Sequence, residues 1–151
     1  MSARPPAVAS LFGRFTATLA EHENLHETLA RVDELCGAIE AEQPELVSRL
    51  QPSRLLADLT SVLATHFAVE EAGIYFGSIV RERPHFAGKV AELRAEHDVM
   101  LSIVTQLREM ASTRNGWPRI AAPGRVLLEM LAAHERAESR LLQTFMLSEA
   151  S

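Results

Sequence analysis

Six residues on four separate segments carry side chains able to bind a cation: His22, then His66 with Glu70, then His97, then His134 with Glu138. Two of these groups are the same device, His-x-x-x-Glu, which sets an imidazole and a carboxylate about one helical turn apart on a single face. In both cases that face is the apolar one. Leu127, Met130, Leu131, His134, Glu138, Leu141, Leu142 and Phe145 follow the i, i+3, i+4, i+7 spacing of a core stripe, and Leu59, Val62, Leu63, His66, Glu70, Ile74 and Gly77 do the same. A carboxylate buried without a partner costs several kcal/mol, comparable with the whole stability of a small domain. The basic residues lie mostly off these stripes, so a bound metal cation is the expected counter-charge.

The chain that must position these groups has 151 residues, enough for one domain with a sizeable core. Its formal charge of -5, with basic residues scattered among acidic ones, excludes the basic stripe of a nucleic-acid surface. Uncharged runs stop well short of the ~20 apolar residues of a membrane span, and Met1 to Pro6 lacks the apolar stretch of a signal peptide, so a cytoplasmic location is expected. The single cysteine, Cys36, rules out an internal disulfide and a Cys-rich zinc site; its helical apolar surroundings mark it as a small buried hydrophobe.

Apolar residues recur at helical spacing and alternating Val/Ile/Thr runs are missing, which predicts an all-α fold. After a flexible arm at residues 1–9, the domain at 10–151 reads as a first helix from about Ser10 to Glu42, a short piece from Glu45 to Leu50, and a second long helix capped by Pro52-Ser53 and ending near Arg83. The third spans about His85 to Ser112. Asn115-Gly116-Trp117-Pro118 is the clearest loop, and the fourth helix starts between Pro118 and Pro123 and continues to about Ser148. Four helices of similar length with short connections pack as an up-and-down antiparallel bundle. In such a bundle His97 and His134 stand almost equally far from the turn at Gly116, and Glu70 and His97 almost equally far from Pro84, so the groups meet at one level of the core.

Imidazoles and carboxylates at that depth suit iron, manganese or zinc. Two carboxylates from different helices can each bridge two ions, which favours a dinuclear site over a mononuclear one. The order of residues sets the chain apart from ferritin-like di-iron proteins, where a glutamate precedes the histidine by three; here that spacing occurs once, from Glu23 to His26.

The ordered set resembles the hemerythrin-like (HHE cation-binding) family from about Leu11 to Phe145. The motifs that carry the resemblance are Glu21-His22-Glu23-Asn24-Leu25, His66-Phe67-Ala68-Val69-Glu70-Glu71, Glu96-His97-Asp98-Val99-Met100-Leu101 and His134-Glu135-Arg136-Ala137-Glu138. The resemblance implies a non-haem di-iron centre with His22, His66, His97 and His134 as terminal ligands and Glu70 and Glu138 as bridges. It also marks one departure. Oxygen-carrying hemerythrins place a second histidine four residues after the first on the third helix, and this sequence has Leu101 there.

A missing imidazole leaves one coordination position open, or filled by a substitute such as His26, one turn from His22. That favours chemistry with oxygen, peroxide or nitric oxide, or their sensing, over reversible oxygen carriage. The two classes expected are a binder or sensor of such a ligand or of iron, and a catalase-like or nitric-oxide-reducing enzyme. The Cys-containing segment of iron–sulfur repair relatives and the appended domain of F-box-type iron sensors are not in this sequence, which lowers the expectation for those roles. Outside the ligand set, Glu71 and Glu135 rotate about 100° off the stripes and read as solvent-facing. His85 reads as a solvated turn residue, and Tyr75 and Trp117 read as packing and loop-anchoring residues.

Overall fold

A computed structural model of the protein describes the backbone of residues 6–72 and 76–149 and the side chains of residues 23–72 and 76–147. The expectations placed on residues 1–5 of the arm, on Tyr75, on Ile74 and on the His22 side chain fall outside those residues, whereas residues 6–9, expected as flexible arm, are corrected to the first turn of a helix. All regular structure among the described residues is helical: α1 (Pro6–Glu40), α2 (Pro44–Arg49), α3 (Pro52–Glu71), α4 (Phe76–Glu82), a 3₁₀ turn (Pro84–Phe86), α5 (Ala87–Ala111), a second 3₁₀ stretch (Arg114–Arg119) and α6 (Ala121–Glu149).

The first two stops are made by residues in the left-handed region. Glu42 has φ 53°, and the Gln43 amide reaches back to the Ala38 carbonyl at 3.0 Å, closing α1 with the five-residue return that a left-handed cap produces. Gln51, at φ 51°, precedes α3 and serves as its N-cap without a side-chain bond. Pro52 therefore lies inside the helix as its first residue, where its missing amide hydrogen leaves nothing unsatisfied. The expected Pro52-Ser53 cap is corrected to Gln51 on that ground.

Two other boundaries differ from the sequence reading. The expected helix from residue 53 to near Arg83 is divided into α3 and α4. The expected loop at Asn115–Pro118 is an ordered 3₁₀ stretch, held by the Trp117 indole N–H donating to the Ala111 carbonyl at 3.0 Å and by the close seat of Gly116, where an added Cβ would fall 2.0 Å from the Met110 carbonyl oxygen. No residue but glycine fits there.

Four long helices close a ring: α1 packs on α3 and α6, and α5 packs on the same two. Their inner faces bury one apolar cluster around Leu25, Leu35, Leu56, Leu63, Met100 and Leu131; a second joins Phe76 and Ile79 of α4 to Leu93 of α5 and to Leu141 and Phe145 of α6. Cys36 is fully buried in the first, and burial pushes its thiol up to about 11, as for an inert core residue. No helix among the described residues is long and apolar enough to cross a membrane.

Candidate metal centre

Along the inner faces of α3, α5 and α6 the apolar pattern is interrupted, and there the chain buries His66, Glu70, His97, His134 and Glu138, each no more than 3% exposed. Burying two carboxylates and three imidazoles beside leucine and phenylalanine is costly unless they compensate one another or share a cation. The helical spacing expected from the sequence holds: His66 Nε2 lies 2.8 Å from Glu70 Oε1 on α3, and His134 Nε2 lies 2.5 Å from Glu138 Oε1 on α6.

The contacts across helices draw these pairs into one cluster. His97 Nε2, from α5, stands 2.8 Å from Glu70 Oε2 and 3.1 Å from His134 Nε2. One ligand atom each from Glu70, His97, His134 and Glu138 lie within 4.8 Å of one another. The carboxylate oxygens of Glu70 and Oε1 of Glu138 are buried and close to these nitrogens, yet none lies along a hydrogen-bonding direction. Carboxylate oxygens that crowd against imidazole nitrogens without pointing at them are arranged for a cation placed between them, and the hydrogen bond between His97 Nε2 and His134 Nε2 puts a proton where that cation would sit. Nitrogen and oxygen donors in this number fit iron, manganese or zinc.

Two further carboxylates fix which imidazole nitrogen faces that point. His97 Nδ1 lies 3.2 Å from Glu71 Oε1, and His134 Nδ1 lies 2.9 Å from Glu96 Oε2. Each Nδ1–H donates outward to its carboxylate, so in the neutral tautomer each Nε2 lone pair faces the cluster. Phe67 stacks on the His97 ring at 3.9 Å between centroids, and Phe76 lies on it at 5.9 Å. The imidazole is held in plane by rings and in rotation by a carboxylate.

Protons serve as counter-charge in the metal-free cluster. Burial pulls the His134 imidazolium down, but Glu138, Glu70 and Glu96 outweigh it and push the group up to about 10. Burial raises the Glu138 carboxyl, His134 opposes the rise and the Glu70 carboxylate adds to it; the balance is a value of about 8. Burial also acts to raise Glu70, but the imidazoles of His134, His66 and His97 prevail and hold it well below the ordinary carboxylate range. A metal ion binding here displaces the protons on His134 and Glu138.

The sequence reading placed Glu71 and Glu135 in solvent. Glu71 is exposed as expected, 42% at its side chain, and also lies 3.2 Å from His97 Nδ1; Glu135 is corrected, being half-buried at 22% and 2.8 Å from His26 Nε2. Glu96 carried no assigned role in that reading. The signal was in the sequence, since each ligand motif has an acidic neighbour; what it lacked was the partner. Each such neighbour reaches the next helix around the ring, Glu71 from α3 to α5, Glu96 from α5 to α6, and Glu135 from α6 to α1. His26 is exposed and turned toward Glu135, outside the converging set. His85 is exposed, as expected.

The chain belongs to the hemerythrin HHE cation-binding domain family, whose pattern matches residues 15–145. That span covers every motif described above. Comparison with curated proteins and with solved structures gave no match.

Proposed function

We propose that this chain is a non-haem di-iron protein, built as an up-and-down four-helix bundle over residues 10–151, that binds iron and reacts with or senses small oxidants: oxygen, peroxide or nitric oxide. The observation that carries the reading is the convergence of buried Glu70, His97, His134 and Glu138 ligand atoms within 4.8 Å of one another, with both Glu70 oxygens and Glu138 Oε1 outside hydrogen-bonding geometry. In this reading His22, His66, His97 and His134 are terminal ligands, and Glu70 and Glu138 bridge. The two oxygens of Glu70 support a bridging role, because Oε1 faces His66 and Oε2 faces His97.

Bound iron would supply one-electron redox chemistry and Lewis acidity toward a small ligand. The chain's own residues do the rest. Glu71 and Glu96 hold the Nδ1 protons of His97 and His134, which keeps each Nε2 aimed inward. Phe67 and Phe76 exclude water from the His97 side. Leu101, half-buried against the core on α5, offers no donor where the oxygen-carrying hemerythrins have an imidazole, which favours reaction or sensing over storage of oxygen. The proposal includes a cytoplasmic setting and a small diatomic or peroxide partner, with no nucleic-acid or membrane partner.

Metal analysis of freshly purified protein, with optical spectra before and after oxygen, peroxide and nitric oxide, tests this reading. About two iron atoms per chain and a spectral response to at least one ligand are expected for six nitrogen and oxygen donors with two bridges. Zinc alone from iron-replete cells, or no metal, would overturn it.

A further inference from the structure

The cluster is enclosed unevenly. On the His97 side it meets Phe67 and Phe76, and Leu63, Leu93, Met100 and Leu141 fill the layers above and below. On the His66 side it meets a polar cleft. Asn24 from α1 and Ser61, Val62 and Thr65 from α3 line a cavity of about 150 Å³ that has His66 as its inner wall. Asn24, Ser61 and Val62 also line a neighbouring cavity of about 210 Å³, walled by Glu27, Thr28, Arg31 and Asp58.

The two cavities follow one seam. Asn24, Glu27, Thr28 and Arg31 recur at i, i+3, i+4 and i+7 along α1, and Asp58, Ser61, Val62 and Thr65 do so along α3. The seam carries charge at one end and hydroxyl and amide groups beside His66, a lining suited to water, and each cavity has room for several water molecules. His66 is 2% exposed, yet it is the residue through which this seam touches the buried carboxylates, since its Nε2 lies 2.8 Å from Glu70 Oε1.

We propose that the α1–α3 seam is the path by which water-borne, hydrogen-bonding solutes of hydrogen peroxide's size reach the metal centre, with Asn24, Ser61 and Thr65 as its selecting residues. The inference rests on the metal-centre reading and adds a substrate class to it: polar peroxide over apolar diatomic gases. A hydrated peroxide can exchange its water contacts for those of Asn24, Ser61 and Thr65, whereas an apolar gas gains nothing from them and can cross the packed leucine and phenylalanine layers through their fluctuations.

Ser61→Phe and Thr65→Phe test the path, because both positions are solvent-exposed at the seam and a phenyl ring there fills it without entering the core. Ser102→Phe, exposed on α5 away from the seam, is the control. Two readouts are needed: the rate at which the iron-loaded protein consumes hydrogen peroxide, and the rates and equilibrium of zinc-ion uptake by the metal-free protein. Each plugged variant should slow peroxide consumption by about ten-fold or more, as a small added barrier does. Zinc uptake and release should slow together, leaving zinc affinity unchanged, and nitric oxide binding should slow far less.

Slowing of peroxide or of zinc uptake at unchanged zinc affinity, with nitric oxide binding slowed far less, supports the path. Unslowed rates for both solutes, or equal slowing of nitric oxide and peroxide, overturn it. If a phenyl variant loses zinc affinity, Ser61→Leu decides by the same criteria. A parent protein that takes up no metal sinks the metal-centre reading and the path with it; variants that load metal and react at the parent rate sink the path alone.

Discussion

The two His-x-x-x-Glu pairs are identical in spacing and alike in burial, yet the structure makes them electrostatic opposites. Glu70 on α3 is surrounded by His66, His97 and His134 and is held ionised; Glu138 on α6 has His134 as its close imidazole partner and is pushed up to about 8. The repeat gives each helix the same face. The neighbours across the ring decide what the carboxylate on that face becomes. The three imidazoles around Glu70 favour its ionised form at the centre of the cluster, and Glu138, with one close imidazole, is the carboxyl that favours a proton until a cation replaces it.

Replacing each carboxylate is the largest perturbation of that contrast. Glu70→Ala removes contacts to imidazoles from three segments and is expected to abolish metal binding, as judged by metal content after purification. Glu138→Ala removes a group that must first lose a proton, and weakened but measurable binding should survive. Equal loss from both variants, or a greater loss from Glu138→Ala, would erase the asymmetry.

Titration of the metal-free protein gives the next largest effect. The folded state raises Glu138 from 4.5 to about 8 and His134 from 6.5 to about 10, so the stability each contributes is present below its ordinary value and is lost as pH rises toward the folded one. Glu70 is lowered, and its contribution is lost in the opposite direction, at low pH. The metal-free protein should therefore be most stable in mild acid. Its melting temperature should drop on the order of 5 °C or more between about pH 6 and pH 9. With metal bound the cation replaces those protons and the decline should vanish. Glu138→Gln should flatten the metal-free curve, and an unchanged slope in that variant would assign the pH dependence elsewhere.

The carboxylates behind the imidazoles come third. Glu96→Gln and Glu71→Gln keep the shape and remove the charge that fixes the His134 and His97 tautomers, and such changes lower metal affinity by roughly 10- to 100-fold. Glu96 is expected to matter more, since its contact is 2.9 Å against 3.2 Å for Glu71. Competition titrations against a chelator would rank them, and wild-type affinity in both variants would make the hydrogen bonds incidental.

These ranks also show what the sequence could and could not carry. The helices and the residues on their inner faces were legible because helical periodicity is local: Leu63, His66 and Glu70 declare one face, and Leu131, His134 and Glu138 another. The N-cap of α3 is Gln51 rather than the expected Pro52-Ser53, because a left-handed glutamine has no sequence signature of its own. Glu71, Glu96 and Glu135 were illegible for a different reason. Each sits beside a ligand and about 100° away from it on its own helix, which by periodicity alone points to solvent. Only the positions of the neighbouring helices show that this direction ends on another helix's imidazole.

The smallest expected effect concerns the third of those neighbours and completes the contrast. Glu135 follows His134 directly, and its carboxylate is engaged by the exposed His26 on α1 rather than by a residue of the buried cluster. An exposed ion pair of this kind contributes at most about 1 kcal/mol. His26→Ala and Glu135→Ala should therefore leave metal content and the metal-free melting curve close to those of the parent protein, in contrast to changes at Glu138, three residues beyond Glu135 on α6. If His26→Ala instead removes metal, the imidazole must leave Glu135 and turn inward when metal binds. The centre would then have a fifth histidine that fills the position opened by Leu101, and reactivity toward small oxidants would have to be explained with that position closed.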